Sequence, residues 1–172
     1  MQLSTFRVSL CGALVFALGL PFPAGAQGGF LTEPDPNWRE EEVRMPPPPQ
    51  EERLREFFVN AASSNRFYVD ESSLEVGADY VVRYVMVVRA SGGAETVTYE
   101  GIRCTTGERK LYAHWRQDGE WVAPRRSEWE SLRSAGLGRP YRALALSYFC
   151  DGPAPPRTTG DALRGLRYGV QR

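Results

Sequence analysis

The sequence predicts an α+β domain: an antiparallel β-meander of about five or six strands, two C-terminal helices packed on one face, and one disulfide. Three observations carry this reading. Short apolar runs with a two-residue period recur between Leu54 and Val122, each bounded by Gly, Asp, Asn or Ser. An apolar stripe at helical spacing follows Pro140. Cys104 closes one of the strand signals, and Cys150 closes the helical one.

The chain begins with Arg7, an apolar run from Val8 to Leu20, Pro21 and Pro23, and the small-x-small site Ala24-Gly25-Ala26. That order predicts a cleaved signal peptide over residues 1–26. The run is shorter than the roughly 20 apolar residues a spanning helix needs, so no transmembrane segment is expected after cleavage. Cys11 opens the run behind bulky Leu10, the wrong place for lipidation. The expected location is the periplasm, with outer-membrane association as a variant.

Residues 27–52 form an acidic arm rich in proline, with Pro34, Pro36 and the run Pro46-Pro47-Pro48-Pro49, and are expected to be extended. Trp38 is the residue in it suited to docking on the domain. The α+β domain is placed at 53–152. Leu54 to Val59 suits a strand, although Glu51-Glu52-Arg53-Leu54 could open a short helix. Phe67 and Val69, then Leu74 and Val76, mark two short extended pieces around Asp70. Tyr80 to Arg89 is apolar on both parities and predicts a central strand. Ser91-Gly92-Gly93-Ala94 turns it into the run Glu95 to Cys104, whose apolar parity changes at Gly101 and predicts a bulge there. Arg109 to Arg116 and Trp121-Val122 complete the meander around Gln117-Asp118-Gly119-Glu120.

Ser127 and Glu130 have capping-box spacing and predict a first helix carrying Trp129 and Leu132. Pro140 opens the second, with Tyr141, Leu144, Ala145, Tyr148 and Phe149 on one stripe. Residues 153–172 are expected to be an Arg-rich flexible tail, in which any helix after Asp161 is marginal.

Charge excludes one class of partner. Basic and acidic side chains number 21 each, which gives no electrostatic case for nucleic acid. Acidic residues prevail between Gly28 and Asn60 and arginines after Arg139, so the two ends can attract each other or a charged surface. Once the leader is gone, Cys104 and Cys150 remain, and in an oxidising compartment they are expected to pair. Closing that loop stabilises the fold by about 4 kcal/mol on the chain-entropy account.

The familiar nucleophile arrangements fail. Gly-x-Ser-x-Gly is absent, no Ser stands three residues before Lys110, and His114 sits on the polar parity of a strand. Gly136-Leu137-Gly138 lacks the strand a phosphate loop needs. Two distant thiols and one histidine do not make a zinc site. No catalytic, cofactor-binding or metal residue is therefore assigned, and no cofactor is expected. Paired carboxylates from Asp70, Asp79 and Glu100 are the chemistry that survives. Against it stand a turn-capping role for Asp70 and an ion pair of Glu100 with Arg103 or Arg83. Trp115, Trp121 and Trp129 suit a small core better than a sugar platform.

Taken together, Asn65-Arg66-Phe67-Tyr68-Val69-Asp70, Val82-Arg83-Tyr84, Tyr99-Glu100-Gly101-Ile102-Arg103-Cys104, Tyr112-Ala113, Trp129 and Tyr148-Phe149-Cys150 resemble the CNP-like family, whose name stands for cryptic neisserial protein. The resemblance runs from Trp38 to Cys150 and leaves the Arg-rich tail outside. It implies an exported protein of Gram-negative bacteria and no particular activity. A fainter likeness to surface-adhesin E, carried by the order of a Tyr-x-Asp piece, strands, Cys, Trp and a final Cys, implies that such a layout can bind. The candidate functional surface is accordingly Asp70, Arg83, Glu100 and Arg103. The expected function is a non-catalytic interaction domain for an envelope protein or surface component; the alternative is a cell-wall glycan hydrolase with paired carboxylates.

Overall fold

The computed structural model describes residues 35–134, 136 and 139–170. The predicted leader and the start of the arm lie outside the described residues.

Eight antiparallel strands form one sheet: β1 (Leu54–Phe57), β2 (Arg66–Asp70), β3 (Glu75–Val76), β4 (Val81–Arg89), β5 (Glu95–Arg103), β6 (Glu108–Trp115), β7 (Trp121–Val122) and β8 (Glu130–Ser131). The order is β1-β2-β4-β5-β6-β7, with β3 pairing on β4 and β8 on β6. This is the predicted meander. The ambiguous Glu51–Arg53 is a single 3-10 turn that leads into β1.

β4 is the central strand, and both of its faces are buried from Val81 to Val87. Its parity separates two cores. Val82, Tyr84 and Met86 join Phe67, Val69, Ile102 and Leu132 beneath the C-terminal helices. Val85 and Val87 join Tyr68, Val97, Tyr99, Tyr112 and Ala113 on the opposite face, where Val43 of the N-terminal arm packs. The parity change at Gly101 is therefore a change of which face is apolar. The β4–β5 register is unbroken there. The irregularity lies on β6, where Tyr112 is extra opposite Tyr99 and Glu100. Gly101 allows it: a Cβ at that position would stand 2.7 Å from the Tyr112 hydroxyl.

The helix predicted from Ser127 does not form. The Ser127 hydroxyl donates to the Leu111 carbonyl, and Glu130–Ser131 pairs with Glu108–Arg109 as β8. The Leu132 amide donates to the Gly107 carbonyl and its side chain is fully buried. Extending the sheet satisfies these backbone groups and buries Leu132, which a two-turn surface helix would do less well.

Helix α1 (Pro140–Ala143) starts with proline in its first turn and continues as a π-helical stretch, Leu144–Phe149. Leu144, Ala145 and Phe149 are buried, as their stripe predicts. Cys150 ends this stretch and is bonded to Cys104, with Cα atoms 5.5 Å apart. The stretch read as a flexible tail contains a second helix, α2 (Thr159–Tyr168). Thr158 caps it by accepting from the Asp161 amide, and Ala162 and Leu166 enter the helix-side core. Burial of those two residues, together with an Arg167–Glu71 ion pair at 2.7 Å, supplies what a short isolated helix lacks.

Candidate functional site

The most elaborate chemistry lies on the sheet face away from the helices, under the arm. A tight turn sets its first pair: the Tyr80 amide donates to the Gly77 carbonyl, and Tyr80 takes a left-handed φ of 58°. This aims Asp79 back along β4. Its carboxylate receives both Arg83 Nη atoms at 3.1 and 2.5 Å and the amides of Val81 and Glu41 at 3.1 and 3.0 Å. Burial by itself pushes the Asp79 carboxyl up, but Arg83 and the two amides outweigh it and hold it below its usual range.

The arm is held by contacts along its length. The Trp38 indole donates to the Asp79 carbonyl at 3.1 Å. The Arg103 guanidinium lies 3.8 Å from the Trp38 ring, and Trp129 meets the same ring edge-on at 5.9 Å. Glu40 accepts from Lys110 Nζ at 2.7 Å and from the Tyr112 hydroxyl at 2.8 Å. Burial, with Glu40 alongside, pushes the Tyr112 phenol far above its usual range, so it remains a donor. Burial also raises Tyr99 to about 12. Farther along, Trp121 Nε1 donates to the Pro46 carbonyl at 2.8 Å. Trp121 belongs to a run of rings with Trp115 at 5.0 Å and Tyr99 at 6.1 Å, and Tyr99 in turn lies 5.4 Å from Tyr112.

The helix side carries one buried charge cluster. Glu100, 1% exposed, accepts from Arg109 at 2.7 and 3.1 Å, from Thr98 at 2.9 Å and from the Tyr84 hydroxyl at 3.2 Å. Its partner is thus Arg109, not the expected Arg103 or Arg83. Tyr141 of α1 lies against the Arg109 guanidinium at 4.7 Å.

All four sequence-chosen residues are buried. Arg83 and Arg103 come together beneath the arm, while Glu100 points to the other face. Asp70 caps the turn after β2, accepting from the Ser72 amide and hydroxyl at 2.9 and 2.6 Å, and it also takes the Gln50 amide of the arm at 3.4 Å. Glu40, Lys110 and Tyr112 are not among the candidate surface residues of the sequence, and Trp121 is expected there only as a core residue. Lys110 and Tyr112 share one parity of β6, and the bulge at Tyr112 brings Ala113 and Trp115 to the same arm-side face, which a strict two-residue period conceals. Among the described residues no three His, Cys, Asp or Glu side chains gather as a metal site, and no helix is long and apolar enough to cross a membrane.

The profile of the CNP1-like family matches residues 33–167. The chain belongs to the CNP1-like family. The match takes in both the arm with Trp38 and nearly all of α2, so this CNP1-like domain extends beyond Cys150, where the sequence resemblance was drawn to end. The chain is also similar to Cryptic neisserial protein 1 of Neisseria gonorrhoeae, 27% identical over 114 residues, which cover 59% of this chain and 56% of that protein. The match thus spans little more than half the length of that relative. No solved structure matches this CNP1-like chain.

Proposed function

We propose that this CNP1-like protein is a non-catalytic interaction domain of the cell envelope, exported through its leader and oxidised after export. The observation that carries the reading is how the buried carboxylates are employed. Asp70, Asp79 and Glu100 each accept several hydrogen bonds from neighbours inside the fold. A general acid or a nucleophile must instead face substrate. Asp70 and Glu100, the pair a glycan hydrolase would need, are directed to opposite faces of the sheet. Cys104 and Cys150 within bonding distance favour an oxidising compartment.

The surface offers material for binding. Phe58 and Tyr168 are 67% and 73% exposed. A groove of about 540 Å³ runs between α2 and the loop after Cys150, lined by Phe149, Pro155, Pro156 and Tyr168. In-cell cross-linking in the envelope, followed by mass spectrometry of the captured adducts, tests the proposal. It should return a reproducible partner while the purified protein leaves cell-wall glycan intact. Glycan cleavage with no partner would reverse the reading.

A further inference from the structure

The arm's pattern of contact is that of a bound peptide. From residue 40 onward, Glu40, Val43, Pro46 and Pro49 are half-buried, and every residue between them is exposed. A period of three is that of a polyproline II helix, which has three residues per turn and no internal hydrogen bonds. Proline-rich segments in this form are recognised by aromatic grooves, and the groove's donors take up their free carbonyls. Both features occur here. Trp115, Trp121, Tyr99 and Tyr112 line the face, and the Trp121 indole donates to the Pro46 carbonyl at 2.8 Å.

The groove is also chemically selective. Lys110, the sole lysine of the chain, is paired with the arm's Glu40. Arg103 stacks on Trp38, its contact with Glu108 is a long 3.8 Å, and its Nε is buried without a hydrogen-bond partner. Trp129 Nε1, beside Trp38, is likewise buried and unpartnered. The arm does not fill its channel, since clefts of about 380 and 310 Å³ flank it at Trp38 and at Glu42. Not one arm residue from Asp35 to Gln50 is fully buried.

We infer that this face is a recognition groove for an acidic, proline-bearing segment of a partner protein in polyproline II form, with the chain's own arm as its resident occupant. The inference rests on the interaction-domain reading and names the partner's chemistry. Charge complementarity selects the occupant: a cationic and aromatic floor suits a segment that, like the arm, carries a carboxylate cluster followed by a proline run. Tethering gives the arm a local concentration on the order of millimolar, so a partner must match its contacts or meet a weakened arm.

The test uses a fluorescein-labelled peptide with the sequence of residues 35–50 and the full mature chain. Anisotropy should show saturable binding to a Trp38→Ala, Glu40→Ala chain at least tenfold tighter than to wild type. Replacing Pro46 to Pro49 of the peptide by alanine should cost at least tenfold. Equal, weak binding to both folded proteins would overturn the inference, even if envelope cross-linking still finds a partner through another surface. Should the double variant not fold, hydrogen exchange of wild type decides. The Glu41 amide should exchange at least a hundredfold faster than that of Ile102, and equal rates would mean the arm opens only with the whole fold. Dimers of wild type formed by mutual arm exchange would assign the groove to a second copy and likewise overturn the partner.

Discussion

Glu100 is nearly sealed from solvent, and its charge is tolerated because Arg109, Tyr84 and Thr98 all donate to it. Removing one member of such a pair leaves the other charged and desolvated, at a cost of about 3–5 kcal/mol. Glu100→Ala should therefore lower the urea midpoint strongly with the slope unchanged, and adding Arg109→Met should restore much of the loss. Additive losses in the double variant would contradict the pairing. Its partner was legible in principle. Residues three apart in a strand face opposite ways, which rules out Arg103, and Arg83 lies across from Gly101 on the arm side. Arg109 could not be selected from sequence because the bulge at Tyr112 sets the β5–β6 register. Asp70, by contrast, acts as the turn cap its neighbours Ser72 and Ser73 suggest.

Among the elements, α2 is the one composition hides. Its ten residues from Thr159 to Tyr168 include two glycines, a poor and short helix in isolation. What holds it is tertiary. Gly165 packs so closely that a Cβ there would collide with the Tyr148 carbonyl. In a free helix Gly→Ala is worth about 1 kcal/mol of stabilisation. In this fold Gly165→Ala should instead destabilise, by roughly 1–3 kcal/mol of steric cost, measurable by chemical denaturation. A gain in stability would show that α2 is undocked. Glu71 adds a pH signature. Arg167 and then Arg55, against a partial burial that raises it, draw its carboxyl from 4.5 down to about 2. A depressed value in the folded state means a contribution fully present above about 4.5 and lost as pH falls toward 2. Amides of α2 should accordingly lose exchange protection over that acid window, and Glu71→Gln should lessen the dependence, with an effect at neutral pH of about 1 kcal/mol or less. Ser127 shows the converse. A capping box is a local signal, and the bonds of β8 to β6 together with burial of Leu132 outweigh it.

At the scale of the molecule, one sheet is covered twice, by disulfide-stapled helices on one face and by an extended arm on the other. The meander of strands from Leu54 to Val122 and the Cys104–Cys150 tie were readable because alternation, turn residues and cysteine arithmetic are local or covalent facts. Coverage by the arm was readable only in Trp38, since a polyproline II segment has a three-residue contact period that neither strand nor helix templates detect. The staple joins the end of β5 to the end of the π-helical stretch across a separation of 46 residues, which is worth about 4 kcal/mol if the bond forms. On the proposed reading, its formation depends on export, and export on the leader. The intact mass of the protein recovered from a periplasmic extract and treated with iodoacetamide without reduction measures both at once. The expected species begins at Gln27 and carries no alkyl group; a chain that retains Met1, or one alkylated at both Cys104 and Cys150, would contradict it.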